Sequence, residues 1–147
     1  MSPDSVSFRA ADANDSEFLA RLLAQLGYPA DADEVPGRIE ALAQFPTAIA
    51  LVAVIGRTVV GLITIHVFPS LHVAQPVAWI TSLVVDSEHR GQGIGSALVA
   101  EAERWARENR AKRLSVSSGL QREETHRFYE ARNYLRSGLR FTKAFEN

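Results

Sequence analysis

The sequence contains no cysteine among its 147 residues. This absence excludes disulfide frameworks, thiolate zinc sites and cysteine nucleophiles. An excess of charge of either sign is also missing, because 16 Lys and Arg stand against 17 Asp and Glu. Such a balance argues against a dedicated nucleic-acid binder. We therefore expect neither a cysteine-based reaction nor a nucleic-acid partner.

Long apolar runs are also absent. No stretch reaches the length needed to cross a bilayer, and the N-terminus MSPDSVSFRAAD lacks the apolar centre of a signal peptide. A chain of this length has the usual size of one domain and buries about two-thirds of its unfolded surface without a disulfide or metal. These features predict a soluble, cytoplasmic protein with a single domain spanning residues 1–147 and no membrane partner.

Apolar periodicity predicts an α/β fold. Alternating and β-branched patterns favour strands, and apolar residues three and four positions apart favour helices. The two residues Gly56 and Arg57 separate two strand patterns, which is typical of a hairpin. A helix between the strands at 77–85 and 112–118 predicts a βαβ crossover within a mixed sheet. The expected strands are 5–11, 47–55, 58–68, 77–85, 112–118 and 139–145, and the expected helices are 12–28, 30–45, 94–109 and 122–133.

Three alternate glycines stand directly before the third helix, in the segment RGQGIG. The N-terminus of a helix offers unpaired backbone N–H groups, and glycine allows an anion to approach the main chain closely. The alternative is a tight turn without a ligand. The run is not a nucleotide P-loop, because no Gly-Lys-Ser/Thr ends it, and it is not the G-x-G-x-x-G dinucleotide fingerprint. The flanking Arg90 adds a charge suited to phosphate oxygens.

At these residues the sequence resembles the GCN5-related N-acetyltransferases (GNAT). Their acetyl-CoA signature, Q/R-x-x-G-x-G/A, is similar to the segment from Arg90 to Gly95, and THRFYEARNY is similar to a second motif of the family. The predicted order of elements is also the order of that fold. The resemblance therefore implies a GNAT fold in which a mixed central sheet contains a βαβ acetyl-CoA-binding core with two splayed parallel strands.

The resemblance also implies where acetyl-CoA, the cosubstrate, binds. In this family the amides of the signature loop hold the pyrophosphate, and the strand before the loop pairs with pantetheine through its main chain. Serines at the end of the strand 112–118 line the gap between the splayed strands. The residues implied in cofactor binding are Leu83, Val84, Val85, Arg90, Gly91, Gln92, Gly93, Ile94, Gly95, Ser96, Ser118 and Phe128.

For catalysis, the resemblance assigns the general acid to Tyr129, which protonates the departing CoA thiolate. The base is left open. Some members carry a glutamate four positions before the valine aligned with Val85, but Thr81 stands here and cannot serve as a base. His66, His72 or ordered water are the alternatives. No metal is expected.

The acceptor is expected to be a primary amine of a small molecule. The C-terminal third of the sequence resembles aminoalkylphosphonate acetyltransferases most, through SSGLQREETHRFY and RFTKAF. Arg21 or Arg38 would suit an anionic acceptor, but both are equally well explained as solvated helix charges. A peptide acetyltransferase and a catalytically silent acyl-CoA-binding module are the alternative functions. A homodimer through an edge strand at RFTKAF is a further expectation.

Overall fold

The computed structural model describes residues 5–117 and 123–145. The chain divides into two compact units, residues 1–115 and residues 116–147. The prediction of a single domain over 1–147 stays a prediction. The strands are β1 (Val6–Ala10), β2 (Ala48–Ile55), β3 (Thr58–Phe68), β4 (Val77–Val85) and β5 (Arg113–Val116), and the helices are α1 (Ser16–Leu26), α2 (Val35–Ala43), α3 (Ile94–Glu108) and α4 (Glu123–Glu130).

The five strands form one sheet in the order β1-β2-β3-β4-β5. The first four strands are an antiparallel meander, and the predicted hairpin at Gly56 and Arg57 joins β2 to β3. The helix α3 connects the neighbouring strands β4 and β5, which is the predicted βαβ crossover. A crossover helix permits parallel neighbours, whereas a short turn does not. The sequence thus predicted the sheet in outline.

The helices α1 and α2 cover one face of the sheet. A core cluster of buried apolar residues joins both helices to β2, β3 and β4. The period of two along a strand places Leu62 of β3 and its partner Val84 of β4 on this face. Burying an aliphatic side chain of this kind stabilises a fold by about 1.5–3 kcal/mol. The cluster consists of Leu19, Leu22, Val35, Val52, Val54, Val59, Leu62 and Val84.

The helix α3 packs against the opposite face, and Gly61 of β3 permits its close approach. A Cβ atom at Gly61 would lie 2.9 Å from Leu98 Cδ1 and 3.4 Å from Ile94 Cγ2, both of α3. The next residues of β3 on this face, Ile63 and Ile65, are fully buried. The α3 side of β3 is therefore buried from Gly61 to Ile65.

The start of α2 and the end of α4 have residues that suit these positions. Proline occupies the N1/N2 position of α2, where its missing N–H costs nothing. After α4, Asn133 adopts a left-handed conformation with a φ of 69°. Asparagine is, after glycine, the residue that most readily adopts this conformation at the end of a helix.

The predicted strand at 139–145 is wrong. Residues 134–145 are described and have no regular secondary structure. Leu139, Phe141 and Phe145 are 73%, 89% and 87% exposed. Alternation of apolar and polar residues is not sufficient for a strand, because a strand also needs a neighbour for its backbone hydrogen bonds. The edge strand on which we based the expected homodimer is therefore not formed in this chain.

Within the described ranges, no helix is both long enough and apolar enough to cross a membrane.

Replacement of Gly61 by alanine tests the close packing of α3. We expect G61A to lower the free energy of unfolding by about 1–3 kcal/mol, because the new methyl group overlaps Leu98. The matched control is G37A in α2, where nothing lies within 4 Å of the added Cβ and alanine gains up to about 1 kcal/mol from helix propensity. Urea unfolding of the two variants measures both changes. Equal stabilities would contradict the packing described for α3.

Candidate active site

The loop that contains Gly91 and Gly93, called the glycine loop below, runs from the end of β4 to the N-terminus of α3. Gly91 and Gly93 have left-handed φ angles of 79° and 82°, which residues with a side chain rarely adopt. Gly93 is the N-cap residue of α3 and offers no side chain to the first turn of the helix. Nothing lies within 4 Å of a Cβ built at either glycine. The loop therefore presents main chain and open space at the positive end of a 15-residue helix.

The side chains of this loop differ in their accessibility. Arg90 is exposed, and its Nε donates a hydrogen bond of 3.1 Å to the carbonyl oxygen of Val85. Gln92 is also exposed, whereas Ile94 is buried at 3% relative exposure. Of Ile94, only the backbone is available to a ligand. Ser96 is half-buried in the first turn of α3.

The carboxylate of Asp86 connects α1 to this loop. Gln25 of α1 donates a hydrogen bond of 2.8 Å from Nε2 to Asp86 Oδ1 and accepts one of 2.9 Å from the backbone N–H of Ser87. Arg21 of α1 lies 3.2 Å from Asp86 Oδ1. His89 Nδ1 lies 3.0 Å from Asp86 Oδ2, and because a carboxylate only accepts, this nitrogen carries the proton. These contacts fix the loop in front of α3.

The hydrogen bond from Gln25 is the largest cause that holds the pKa of Asp86 below its usual range. The contacts with His89 and Arg21 lower the pKa further, while burial of the carboxyl group opposes them. The ionised form is therefore the form that the folded protein stabilises.

The main chain of β4 before the loop includes the residues implied in pantetheine binding. Leu83, Val84 and Val85 pair with Ile63, Leu62 and Gly61 of β3. Val84 belongs to the buried core cluster, so its side chain is unavailable to a ligand. On its other side β4 neighbours β5, which is only four residues long.

A β-bulge interrupts β4 just before these residues. Thr64 of β3 pairs with Ser82, whereas the next residue, Ile65, pairs with Ile80, so Thr81 is the additional residue. Thr64 Oγ1 lies 2.6 Å from Thr81 Oγ1 and 2.5 Å from Ser82 Oγ. We call Thr64, Thr81 and Ser82 the hydroxyl cluster. It lies on the face of the sheet that α1 and α2 cover in part.

The two histidines considered as bases differ in position. His66 is half-buried, two residues after Thr64 on the same face of β3. Its partners in the sheet are Ala48 of β2 and Trp79 of β4. His72 is exposed in the loop after β3, and its Nδ1 lies 2.7 Å from Ser70 Oγ. Only His66 therefore lies beside the hydroxyl cluster.

Tyr129 lies on α4, in the second unit of the chain. It is 7% exposed, and its ring forms edge contacts with Phe128 at 5.2 Å and with Tyr134 at 5.5 Å between centroids. The Phe128 ring also stacks against the guanidinium group of Arg132, 3.6 Å from the centroid. Ser118, also implied in cofactor binding, lies outside the described residues.

The two arginines considered for an anionic acceptor both have acidic neighbours. Arg21 pairs with Asp86, and Arg38 pairs with Glu34 at 3.5 Å.

Within residues 5–117 and 123–145, no group of three or more His, Asp or Glu side chains is arranged to hold a metal ion. A shallow cavity of about 170 Å³ lies at the N-terminal ends of β4 and β5, remote in sequence from the glycine loop; it is lined by Val73, Ala74, Gln75, Pro76, Lys112 and Arg113.

Sequence reasoning missed Gln25, Thr64 and the role of Asp86. An aspartate directly after a buried apolar strand was a signal for Asp86, since a carboxylate in that position requires partners. Gln25 gave no signal, because it lies 61 residues away in the sequence. Thr64 required the register of β3 and β4, which the sequence does not reveal.

A family model for the acetyltransferase (GNAT) family matches residues 17–134. Among curated proteins, an aminoalkylphosphonate N-acetyltransferase of Salmonella typhimurium is 44% identical over 86 residues, which are 58% of this chain and 56% of that protein. The matched segment thus spans only about half of the length of this relative.

Solved structures with the same architecture cover almost the whole chain. A transcriptional regulator from Bacillus halodurans aligns with a TM-score of 0.88 and 25% identity over 96% of this chain and 100% of that one. A GNAT family acetyltransferase of Staphylococcus aureus aligns with a TM-score of 0.81 and 22% identity over 96% and 99%. These matches confirm the fold that the sequence motifs implied.

Replacement of Asp86 by asparagine tests the link between α1 and the loop. We expect D86N to lose about 1–3 kcal/mol of stability at pH 7, because hydrogen bonds to a buried charged group are weakened or lost. A lowered pKa in the folded state stabilises the protein above the ordinary aspartate value of about 3.9. That stabilisation disappears as the pH falls through the folded pKa.

The difference between D86N and the parent protein should therefore be full at pH 7 and shrink below about pH 4. Urea unfolding at a series of pH values measures it. D33N, which alters an exposed residue before α2, is the control and should follow the parent curve. A difference for D86N that is constant with pH would contradict the role of the ionised carboxylate.

Proposed function

The chain belongs to the acetyltransferase (GNAT) family, and from this premise we propose that it transfers the acetyl group of acetyl-CoA to the primary amine of a small molecule. The glycine loop is the observation that carries the proposal. Two left-handed glycines, open around their Cα atoms, precede a long helix whose first turn has no side-chain cap. Such a terminus suits a pyrophosphate, because N–H groups and the helix dipole both attract an anion.

The proposed cofactor site extends from this loop along β4. The amides from Gln92 to Ser96 hold the pyrophosphate, and Arg90 adds a guanidinium group at the entrance of the loop. The main chain of Leu83, Val84 and Val85 pairs with the pantetheine arm. Such an arm follows the strand from the loop towards the bulge at Thr81. Ser118 and Phe128 complete the set of residues proposed for cofactor binding.

The proposed reaction is a direct attack of the amine on the thioester. The amine nitrogen must first lose a proton, because an ammonium group with a pKa near 10 has no free electron pair. Tyr129 then protonates the sulfur as the C–S bond breaks. The assignment of Tyr129 rests on the motif THRFYEARNY and on its burial within α4 and the turn that follows.

The class of acceptor is the less constrained part of the proposal. The Salmonella relative is named for aminoalkylphosphonates, which favours a small amine. The ion pairs of Arg21 and Arg38 with carboxylates make both less suitable as anchors for a phosphonate. Acceptors without an anionic group therefore belong in the test beside aminoalkylphosphonates. A peptide acceptor or a silent acyl-CoA-binding module is the alternative.

Replacement of Gly93 by valine tests the cofactor site. We expect G93V to weaken CoA binding at least tenfold, because valine disfavours a left-handed φ and brings a branched side chain into the path of the pyrophosphate. Isothermal titration calorimetry with CoA measures the affinity. G56V is the matched control, since Gly56 also has a positive φ of 62° but lies in the β2–β3 hairpin.

Both variants carry a similar strain of about 1–3 kcal/mol, so they should lose similar stability in urea unfolding. Only G93V should lose CoA affinity. Normal binding of CoA by G93V would refute the proposed cofactor site.

Thioester turnover tests the activity itself. Purified protein is incubated with acetyl-CoA and a panel of aminoalkylphosphonates, polyamines, other small amines and peptides, and free thiol is followed with a chromogenic reagent. We expect release that depends on a small amine, and a loss of about 10²–10⁴ in kcat for Y129F, which lacks the acid.

Unchanged CoA affinity of Y129F would show that the variant has lost catalytic activity and not the ability to bind the cofactor. Release only with peptides would select the peptide acetyltransferase. Binding of CoA without release with any acceptor would select the silent module.

A further inference from the structure

The half-covered face of the sheet beside the β4 bulge contains a set of polar side chains that the proposed function has not used. They are the hydroxyl cluster, His66 and Trp79. From their arrangement we propose that the hydroxyl cluster holds the acceptor nitrogen and that His66 is the base that removes its proton. This inference rests on the proposed acetyl transfer.

The position of the cluster follows from the proposed path of pantetheine. The arm leaves the glycine loop and pairs with β4 at residues 83–85, so its thioester end lies towards Ser82 and Thr81. Three residues of strand from Val85 to Ser82 correspond to about 10 Å. Bulges are common beside active sites, where they redirect a side chain out of the regular ladder.

The two faces of the sheet differ in how far the side chains beside this path are buried. An arm that pairs with main chain lies in the plane of the sheet and is accessible in principle from either face. On one face, α3 covers Gly61, and Ile63 and Ile65 are fully buried. On the other face, Thr64 and His66 are half-buried and Thr81 is exposed. The amine therefore approaches from the face of the hydroxyl cluster.

Small residues opposite these side chains leave room for a ligand. The partners of His66 and Thr64 on β2 are Ala48 and Ala50. Beyond Ala50 the apolar cluster under α1 and α2 begins. On β4, the half-buried Trp79 stands opposite His66. Two alanines of β2 and the tryptophan of β4 therefore flank this part of β3, which suits the carbon skeleton of a small amine.

The hydroxyl cluster has the chemistry needed to bind an ammonium group. Its three hydroxyls have three protons, and the two O···O contacts at 2.6 and 2.5 Å use two of them. Thr64 stands between the other two, so the oxygens of Thr81 and Ser82 at the ends retain lone pairs for donors outside the cluster. An ammonium group has only donors. A hydroxyl is too weak a base to take its proton, which requires a different residue.

His66 supplies that base from the next position on the same face of β3. A neutral imidazole accepts a proton at its unprotonated ring nitrogen. The nitrogen then forms the C–N bond with the thioester carbon and the C–S bond breaks. Of the two protons that the ammonium loses, one ends on the sulfur of CoA and the other passes through His66 to solvent.

The charged side chains of the helices that pack on the sheet are exposed or lie on the face opposite to His66. Its partners across the sheet, Ala48 and Trp79, do not titrate. The charged residues of the two helices on this face are exposed, and those of α3 lie on the opposite face. They are Glu17 and Arg21 of α1, Arg38 and Glu40 of α2, and Glu101, Glu103, Arg104, Arg107 and Glu108 of α3.

Steady-state kinetics of H66Q tests the base. We expect kcat to fall by about 10²–10⁴, and the dependence of kcat on pH between pH 5.5 and 9 to differ from that of the parent protein. H72Q, with the exposed histidine of the β3–β4 loop, is the matched control and should retain the parent kcat and pH profile. Affinity for CoA should not change in either variant.

T64V tests the hydroxyl cluster with a side chain of similar shape. We expect the KM for the amine to increase at least tenfold, with CoA affinity unchanged, because the central hydroxyl that orients the other two is lost. T64S keeps the hydroxyl and should restore the KM, which separates binding from packing. T58V, at the exposed start of β3, is the control.

The outcomes separate the two proposals. Absence of amine-dependent turnover in the parent protein would overturn the proposed function and this inference with it. Turnover in the parent with an unchanged kcat and pH profile in H66Q would overturn the base alone. An unchanged KM in T64V, or the same KM in T64S and T64V, would overturn the role of the hydroxyl cluster.

Discussion

The buried carboxylate of Asp86 joins the first helix to the candidate cofactor loop. It accepts from Gln25 of α1 and from His89 of the loop, and Arg21 adds a charge beside it. A buried carboxylate is costly unless such partners are present. Gln25 and Asp86 are 61 residues apart in the sequence, so the carboxylate has partners from distant parts of the chain as well as nearby ones. The loop before α3 is therefore joined to α1 by side-chain contacts and not only through the sheet.

The unequal covering of the two sheet faces is the second constraint on function. Gly61 lets α3 approach β3 closely, and Ile63 and Ile65 on the same face are fully buried. On the other face, the apolar cluster under α1 and α2 stops at Leu62 and Val84, and polar side chains follow on the same strands. The residues of β3 and β4 that form the apolar core therefore differ from the residues that are proposed to act on the substrate. The bulge at Thr81 lies in the polar part of β4, beyond the core pair Leu62 and Val84.

Local patterns predicted most of this fold because the relevant energies are local. Apolar periodicity found every strand from β1 to β5 and all four helices, and the residues Gly56 and Arg57 marked the hairpin. The same reasoning failed at RFTKAF, where the alternation is present but the residues form no regular secondary structure. For the candidate site, the glycine motif predicted the loop and its helix. The cluster of Thr64, Thr81 and Ser82 depended on a register shift, which no local pattern reveals.

The sequence by itself determined the family, the order of elements up to α4, and the residues at which acetyl-CoA is proposed to bind, because each depends on neighbours in the chain. Backbone conformation at Gly93 and the pattern of the helix after it are properties of a few consecutive residues. Only the tertiary structure decided that His66, and not His72, lies beside a hydroxyl cluster, and that Arg21 neutralises Asp86. These relations depend on strand register and helix packing, which join residues that are distant in sequence.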